Sequence, residues 1–137
     1  MNRKFVNHPA WNEMKDLFSH INAKSLAMTH LRNCECKIAG YYSEDDAYYE
    51  EIIFNYPLDV ELQNFSMGET AYDSSPWLKI RYLLKVDRSV PGIHLDEDDD
   101  DQIGEFSLVF DANLNFVDEY WFIDVDSPFI IAKRGKE

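Results

Sequence analysis

Cysteine, glycine and long apolar runs are all scarce in this sequence of 137 residues. The two cysteines, Cys34 and Cys36, are separated by one residue, so a disulfide between them could not join distant parts of the chain. None of the five glycines belongs to a glycine-rich phosphate-binding loop. No segment approaches the roughly 18 consecutive apolar residues of a membrane-spanning helix. These absences exclude a disulfide scaffold and a P-loop protein, and they predict a soluble cytoplasmic protein with reduced thiols.

Basic side chains are also few, with 13 Lys and Arg residues against 26 Asp and Glu residues, and the formal net charge is −13. The charge is unevenly spread along the chain. Residues 44–73 contain nine acids and no base, and residues 87–126 contain thirteen acids and only Arg88 as a base. Because such a surface repels phosphate groups, the sequence argues against direct binding of nucleic acid.

The chain contains enough apolar residues to form a hydrophobic core without disulfide bonds. Hydrophobic residues make up 45% of the chain and aromatic residues 15%. A chain of this length buries about two-thirds of the surface that it exposes when unfolded. No repeat or linker divides it, so we expect one domain over residues 1–137.

Helical periodicity is confined to the N-terminal part of the sequence. Pro9 suits the first turn of a helix, and apolar residues recur at helical spacing as far as Ile21, which predicts a helix over about residues 9–22. Further apolar residues between Leu26 and Leu31 indicate a second short helix. The rest of the chain has the composition of strands and turns.

Four segments have the pattern or composition of β-strands. Apolar and polar residues alternate over residues 58–63 and 78–86, while residues 105–110 and 116–125 flank an Asp- and Asn-rich turn at 111–115 that predicts a hairpin. Together they predict an α+β fold, in which an N-terminal helical segment packs on an antiparallel meandering β-sheet.

Two features of these strands bear on the surface. The outward face of residues 78–86 carries Lys79, Arg81 and Lys85. In residues 116–125, large apolar side chains occupy both faces. This strand is therefore either covered on both faces or exposes one row of large side chains to a partner.

Catalytic motifs are absent from the sequence. There is no H-E-x-x-H and no G-x-S-x-G, and the four histidines are scattered. Asp118 and Asp124 are the best candidates for buried acids, because they lie on the same face of the last predicted strand as Phe116, Tyr120 and Phe122. Such residues more often bond nearby backbone amides, so we do not expect an enzyme.

Metal and cofactor sites are not expected either. Cys34, Cys36, His30 and His20 could be considered as zinc ligands, but they lack a C-x2-C pair and a second ligand pair at zinc spacing. The sequence therefore predicts two reduced thiols, no bound metal and no cofactor.

Six consecutive acids occupy residues 96–101. Three of them match positions 1, 3 and 5 of an EF-hand loop, but Asp101 stands where that loop needs glycine and Ser107 where it needs glutamate. Two interpretations remain open, a solvated loop and a docking surface for a basic protein.

Aromatic residues within the acidic regions favour the docking interpretation. Tyrosine and tryptophan are enriched at binding hot spots, and surrounding acids steer a cationic partner. The predicted partner-binding residues are Asp96, Glu97, Asp98, Asp99, Asp100, Asp101, Glu44, Asp45, Asp46, Tyr48, Tyr49 and Trp121.

In size, acidity and α+β layout the whole chain resembles the immunity proteins of bacterial toxin systems, including contact-dependent growth inhibition, although the resemblance includes no shared motif. It implies an inhibitor of a basic nuclease toxin that either plugs the toxin's substrate site or docks beside it. Two other classes remain as alternatives. One is a small α+β enzyme or ligand-binding domain with a pocket between helix and sheet, and the other is a structural or adaptor subunit.

Overall fold

One helix and seven strands are formed by the residues that the computed structural model describes, which are 16, 21–73, 75–92 and 100–135. In chain order the elements are α1 (Ala23–Asn33), β1 (Lys37–Tyr42), β2 (Tyr48–Phe54), β3 (Leu58–Glu69), β4 (Pro76–Val86), β5 (Gln102–Asp111), β6 (Phe116–Ile123) and β7 (Ile130–Arg134). All strand pairs are antiparallel, in a three-stranded sheet of order β1-β2-β7 and a four-stranded sheet of order β3-β4-β5-β6. Helix α1 packs on β3, and the predicted α+β fold is confirmed.

The four-stranded sheet is the meander that the sequence predicts. Strand β4 contains the alternating segment 78–86, and β5 and β6 form the expected hairpin. A turn after β1 leads into β2 at Tyr48. The second sheet was not predicted as a separate unit, because β7 is only five residues long and has a weak alternation.

Helix α1 lies where the sequence predicts the second short helix. Asn22 caps its first turn, since the Asn22 side chain accepts a hydrogen bond of 3.0 Å from the Ser25 amide. Ala23, Ala27 and Leu31 recur every four residues and form its buried face. The helix predicted over residues 9–22 lies almost entirely outside the described residues. Within the described residues, no helix is long and apolar enough to cross a bilayer.

Both sheets contribute to one hydrophobic core. At its centre the rings of Tyr82 and Phe106 stack with centroids 5.0 Å apart, and Trp121 stacks on Phe106 at 4.9 Å. The buried hydroxyl of Tyr41, from the three-stranded sheet, accepts a hydrogen bond of 2.8 Å from the amide of Ile123 in β6. This bond holds the end of β1 against the end of β6.

The outward face of β4 carries Lys79, Arg81 and Lys85, as the sequence predicts. Two of these bases are paired with acids on neighbouring strands. Arg81 forms an ion pair with Glu105, and Lys85 Nζ lies 3.8 Å from a carboxylate oxygen of Glu61. Because these pairs are at the surface, each stabilises the fold by at most about 1 kcal/mol. Their main effect is to offset charge on this face.

The hydroxyl of Tyr82 makes stability sensitive to alkaline pH. It is buried and donates a hydrogen bond of 2.7 Å to the carbonyl oxygen of Ala23, and burial raises its pKa well above the usual value. The pKa of Tyr82 is therefore higher in the folded protein than in the unfolded protein, where it is about 10. Below about pH 10 the hydroxyl is protonated in both states, and the stability does not depend on its ionisation. Above that pH the free energy of unfolding should fall by up to about 1.4 kcal/mol per pH unit.

Urea unfolding of the wild type and of Tyr82→Phe between about pH 9 and pH 11.5 measures this contribution. The variant should lose stability at neutral pH, because the Ala23 carbonyl loses its donor, and should show a shallower decline in alkali. Contributions from all other groups are common to both proteins and cancel in the comparison. Parallel declines in the two proteins would show that Tyr82 is not the group responsible.

Candidate functional site

An acidic cleft of about 380 Å³ lies where the β1–β2 turn approaches the start of β5 and the end of β6. Among the described residues, the four acidic residues Glu44, Asp100, Glu105 and Asp124 line it, and no basic residue does. Phe122, an aromatic residue, also lines the cleft. A negative cleft with an aromatic wall is suited to a cationic group that has an apolar stem.

The carboxylates of the cleft are held mainly by local turns. An Asp100 carboxylate oxygen accepts from the Gln102 amide at 2.9 Å, and an Asp124 carboxylate oxygen accepts from the Asp126 amide at 3.0 Å. Glu44 lies in an exposed turn. The hydrogen bond that the Ile123 amide donates to the Tyr41 hydroxyl holds the strand before this turn beside the four-stranded sheet.

Only one of the four cleft acids is neutralised by a neighbour. Glu105 is paired with Arg81 on the outward face of the sheet. Glu44, Asp100 and Asp124 form no salt bridge with any of the described basic residues. Three uncompensated charges around one concave surface give a negative potential that attracts a cation.

Gly104 shapes the base of the cleft. A Cβ atom at this position would lie 2.3 Å from the carbonyl oxygen of Phe122 and 3.0 Å from Cα of Ile123. The backbones of β5 and β6 approach each other so closely at this point that no side chain would fit. A glycine inside a strand pattern is a known sign of such an approach, and it is the signal in the sequence that could have indicated the cleft.

A row of exposed aromatic side chains runs from the cleft along β6. Phe122 is 52% exposed and Tyr120 is 54% exposed, and both lie on the outer face of this edge strand. Lys79 Nζ lies 5.0 Å from the centroid of the Tyr120 ring. Of the two alternatives for this strand, the structure therefore shows the one with an exposed row. We call Tyr120 and Phe122 the aromatic row.

The structure brings together two of the acidic segments predicted to bind a partner. Glu44 and Asp100, which are far apart in sequence, line the same cleft, and Asp45 and Asp46 are exposed in the turn beside Glu44. Asp101 is half-buried and accepts a hydrogen bond of 2.8 Å from Arg88 Nε. The remaining acids of the run, Asp96, Glu97, Asp98 and Asp99, lie outside the described residues.

The predicted aromatic residues are less exposed than the aromatic row. Tyr48 is half-buried, with its ring centroid 4.9 Å from that of Tyr42. Tyr49 is also half-buried and has the Arg134 guanidinium 5.4 Å from its ring centroid. The ring of Trp121 points inward and packs between core residues, so it does not belong to the aromatic row.

Asp118 and Asp124, the candidates for buried acids, are both exposed. The expectation of burial was wrong because β6 is an edge strand, whose outer face is open to solvent. Asp124 also follows the end of the strand. Neither residue has the enclosed environment that a catalytic acid needs.

A second cluster of reactive side chains joins α1 to β6. His30 Nε2 forms a hydrogen bond with a carboxylate oxygen of Glu119, and Cys34 Sγ lies 3.6 Å from the same nitrogen. One ligand atom from each of these three half-buried residues lies within 4.8 Å of the other two. The ring of Phe116 lies 4.9 Å from that of His30 and covers part of the cluster. We call His30, Cys34 and Glu119 the His30 cluster.

The His30 cluster does not have the arrangement of a cysteine nucleophile. In a catalytic relay the acid and the nucleophile contact opposite nitrogens of the imidazole, whereas Glu119 and Cys34 both approach Nε2. Burial, followed by the negative charge of Glu119 and by Cys36, raises the pKa of the Cys34 thiol. A nucleophilic cysteine requires the opposite shift.

The described part of the chain thus has three features of functional interest, the acidic cleft, the aromatic row and the His30 cluster. The cleft and the row are continuous through Phe122. The chain matches no model of a protein family, no curated protein and no solved structure.

Proposed function

We propose that this protein is an inhibitor of the immunity-protein class, which binds a basic toxin domain and neutralises it. The observation that carries the proposal is the acidic cleft, which combines uncompensated acidic residues with the half-exposed Phe122. In the proposed complex a lysine or arginine side chain of the toxin enters this cleft. The carboxylates accept its hydrogen bonds, and the ring covers its apolar stem.

The aromatic row supports a protein partner rather than a free cation. Interfaces obtain much of their affinity from a few large aromatic side chains, and Tyr120 and Phe122 offer such area beside the cleft. The high negative charge of the chain adds long-range attraction, which raises the rate of encounter with a basic surface. Charge and aromatic area therefore act together on one face.

A nuclease toxin is the proposed partner because its substrate-binding surface must be positive to hold phosphates. In this role the inhibitor acts in the cytoplasm, where it protects the cell's own nucleic acids. Carboxylates of the cleft either stand in for substrate phosphates or bind basic residues beside the active site. The protein itself needs neither a cofactor nor a catalytic residue.

A ligand-binding domain with a pocket between helix and sheet has weaker support. A cavity does lie between α1 and the sheet, beside Leu108 and Phe116, but its volume is about 200 Å³. Pockets that enclose small molecules have volumes of roughly 300–1,000 Å³. An adaptor role would use the same exposed face and differs only in the partner.

The test is a titration of the purified protein against the basic protein that co-purifies with it or is encoded beside it. We expect a 1:1 complex, loss of nuclease activity at equimolar ratio, and weaker binding by Phe122→Ala. Val117→Ala is the control, because Val117 is 58% exposed on β6 but does not line the cleft. A partner without nuclease activity would support the adaptor role. If Phe122→Ala and Val117→Ala weakened binding equally, the cleft would not be the binding site.

A further inference from the structure

We propose that the His30 cluster is a zinc-binding site, with His30 Nε2, Cys34 Sγ and a carboxylate oxygen of Glu119 as the three protein ligands. This site is separate from the acidic cleft, and the proposal does not depend on the proposed function. It revises the sequence-based expectation of no zinc site, which considered only Cys34, Cys36, His30 and His20 as ligands.

The fold brings these ligands together from two elements. His30 and Cys34 are four residues apart, so they lie on one face at the C-terminal end of α1, where Cys34 is the C-cap. Glu119 lies on the inner face of β6, opposite the buried Leu108 of β5. The helix end and the edge strand thus present their side chains to a common point.

The distances fit a tetrahedral zinc ion. Zinc–sulfur and zinc–nitrogen bonds of about 2.3 Å and 2.0 Å, at a tetrahedral angle, place the two ligand atoms about 3.5 Å apart. Cys34 Sγ and His30 Nε2 are already 3.6 Å apart. A hydrogen bond now joins His30 Nε2 to a carboxylate oxygen of Glu119, and a zinc ion would take its place after a small outward movement of the carboxylate.

The chemistry of the ligands selects zinc over the hard cations. Zinc takes nitrogen, sulfur and oxygen ligands, whereas calcium and magnesium require sites made almost wholly of oxygen. A thiolate and a carboxylate together carry two negative charges, so a divalent ion leaves this half-buried site neutral. Neutrality matters there, because His30 is only 14% exposed and Phe116 covers part of its ring.

The convergence on one nitrogen is the observation that distinguishes a metal site from a chance hydrogen bond. In the folded chain Cys34 Sγ and a carboxylate oxygen of Glu119 approach the same nitrogen of His30, which can form a hydrogen bond with only one of them at a time. A metal ion satisfies all three groups at once. Three protein ligands leave one position of the tetrahedron for water.

Titration with Co²⁺ in the presence of a non-thiol reductant tests the site, because a cobalt–thiolate bond produces a near-ultraviolet absorption band that carboxylates do not. We expect this band at a 1:1 ratio, its displacement by Zn²⁺, and its loss in Cys34→Ser. Glu119→Gln should lower the Zn²⁺ affinity at least about 10- to 100-fold. Cys36→Ser is the matched control and should leave band and affinity unchanged.

Several outcomes would overturn the proposal. These are the absence of a band in the wild type, a band that is lost in Cys36→Ser but kept in Cys34→Ser, and an unchanged Zn²⁺ affinity in Glu119→Gln. Cobalt held only by the acidic cleft would bind without the thiolate band and would also count against the site. If Cys34→Ser does not fold, the Zn²⁺ affinity of Glu119→Gln decides between the outcomes, since Glu119 is partly exposed and glutamine keeps its shape.

Discussion

Replacing Trp121 by alanine should lower the free energy of unfolding by about 3–5 kcal/mol, the usual cost of removing a large aromatic side chain from a core. The indole stacks on Phe106 at 4.9 Å, and its centroid lies 6.1 Å from that of Phe54 and 6.3 Å from that of His30. Its loss would leave a cavity between the two sheets and α1. Denaturant unfolding of the purified variant measures the effect.

Phe122→Ala is the matched comparison, because Phe122 is the next residue along the same strand but faces outward and is 52% exposed. Its stability should stay within about 1 kcal/mol of the wild type, while affinity for a basic partner should fall. Trp121→Ala should reduce binding only as far as it unfolds the protein. A Trp121→Ala variant with wild-type stability and weakened binding would instead place the indole in the interface.

Reversing two charges of the acidic cleft, in Glu44→Lys with Asp124→Lys, should slow association with a basic partner by about 10- to 1,000-fold at low salt. Both side chains are exposed, so stability should change little. The dependence of the association rate on ionic strength should flatten, because the attraction that salt screens has been removed. Stopped-flow binding at two salt concentrations measures both effects.

The control for this experiment is Glu35→Lys with Glu69→Lys, which changes the net charge by the same amount. Glu35 precedes β1, whereas Glu44 follows it, and Glu69 ends β3 at the opposite end of the four-stranded sheet from the cleft. We expect a much smaller effect on association from this pair. Equal slowing by the two pairs would show that net charge, and not the cleft, steers the partner.

Much of the four-stranded sheet could be predicted from local patterns. Strand β4 alternates apolar and polar residues, and the Asp- and Asn-rich turn before Phe116 determines the β5–β6 hairpin, because both signals lie within one short segment. The outward position of Lys79, Arg81 and Lys85 follows from the same period of two. The acidity of the surface also follows from composition, since charged side chains remain in water.

The sequence could not assign the inner and outer faces of β6. Large apolar side chains occur on both faces of this strand. The alternation places Trp121 on one face and Tyr120 and Phe122 on the other, but it does not indicate which face is buried. The pairing of Trp121 with Phe106 and the edge position of the strand decide this. Trp121 fills the space in the core beside Phe106. Within the described part of the chain, no further strand covers the face that carries Tyr120 and Phe122.

What the sequence by itself determined is therefore the strand pattern, the hairpin and the negative charge, all of which depend on neighbours along the chain. The meeting of Glu44 with Asp100 in one cleft, and of His30 with Glu119 across 89 residues, was decided only by the tertiary structure. These contacts arise because the two sheets and α1 bury a common core, and docking them brings their side chains together. No local period encodes such a contact, since it depends on how separate elements pack.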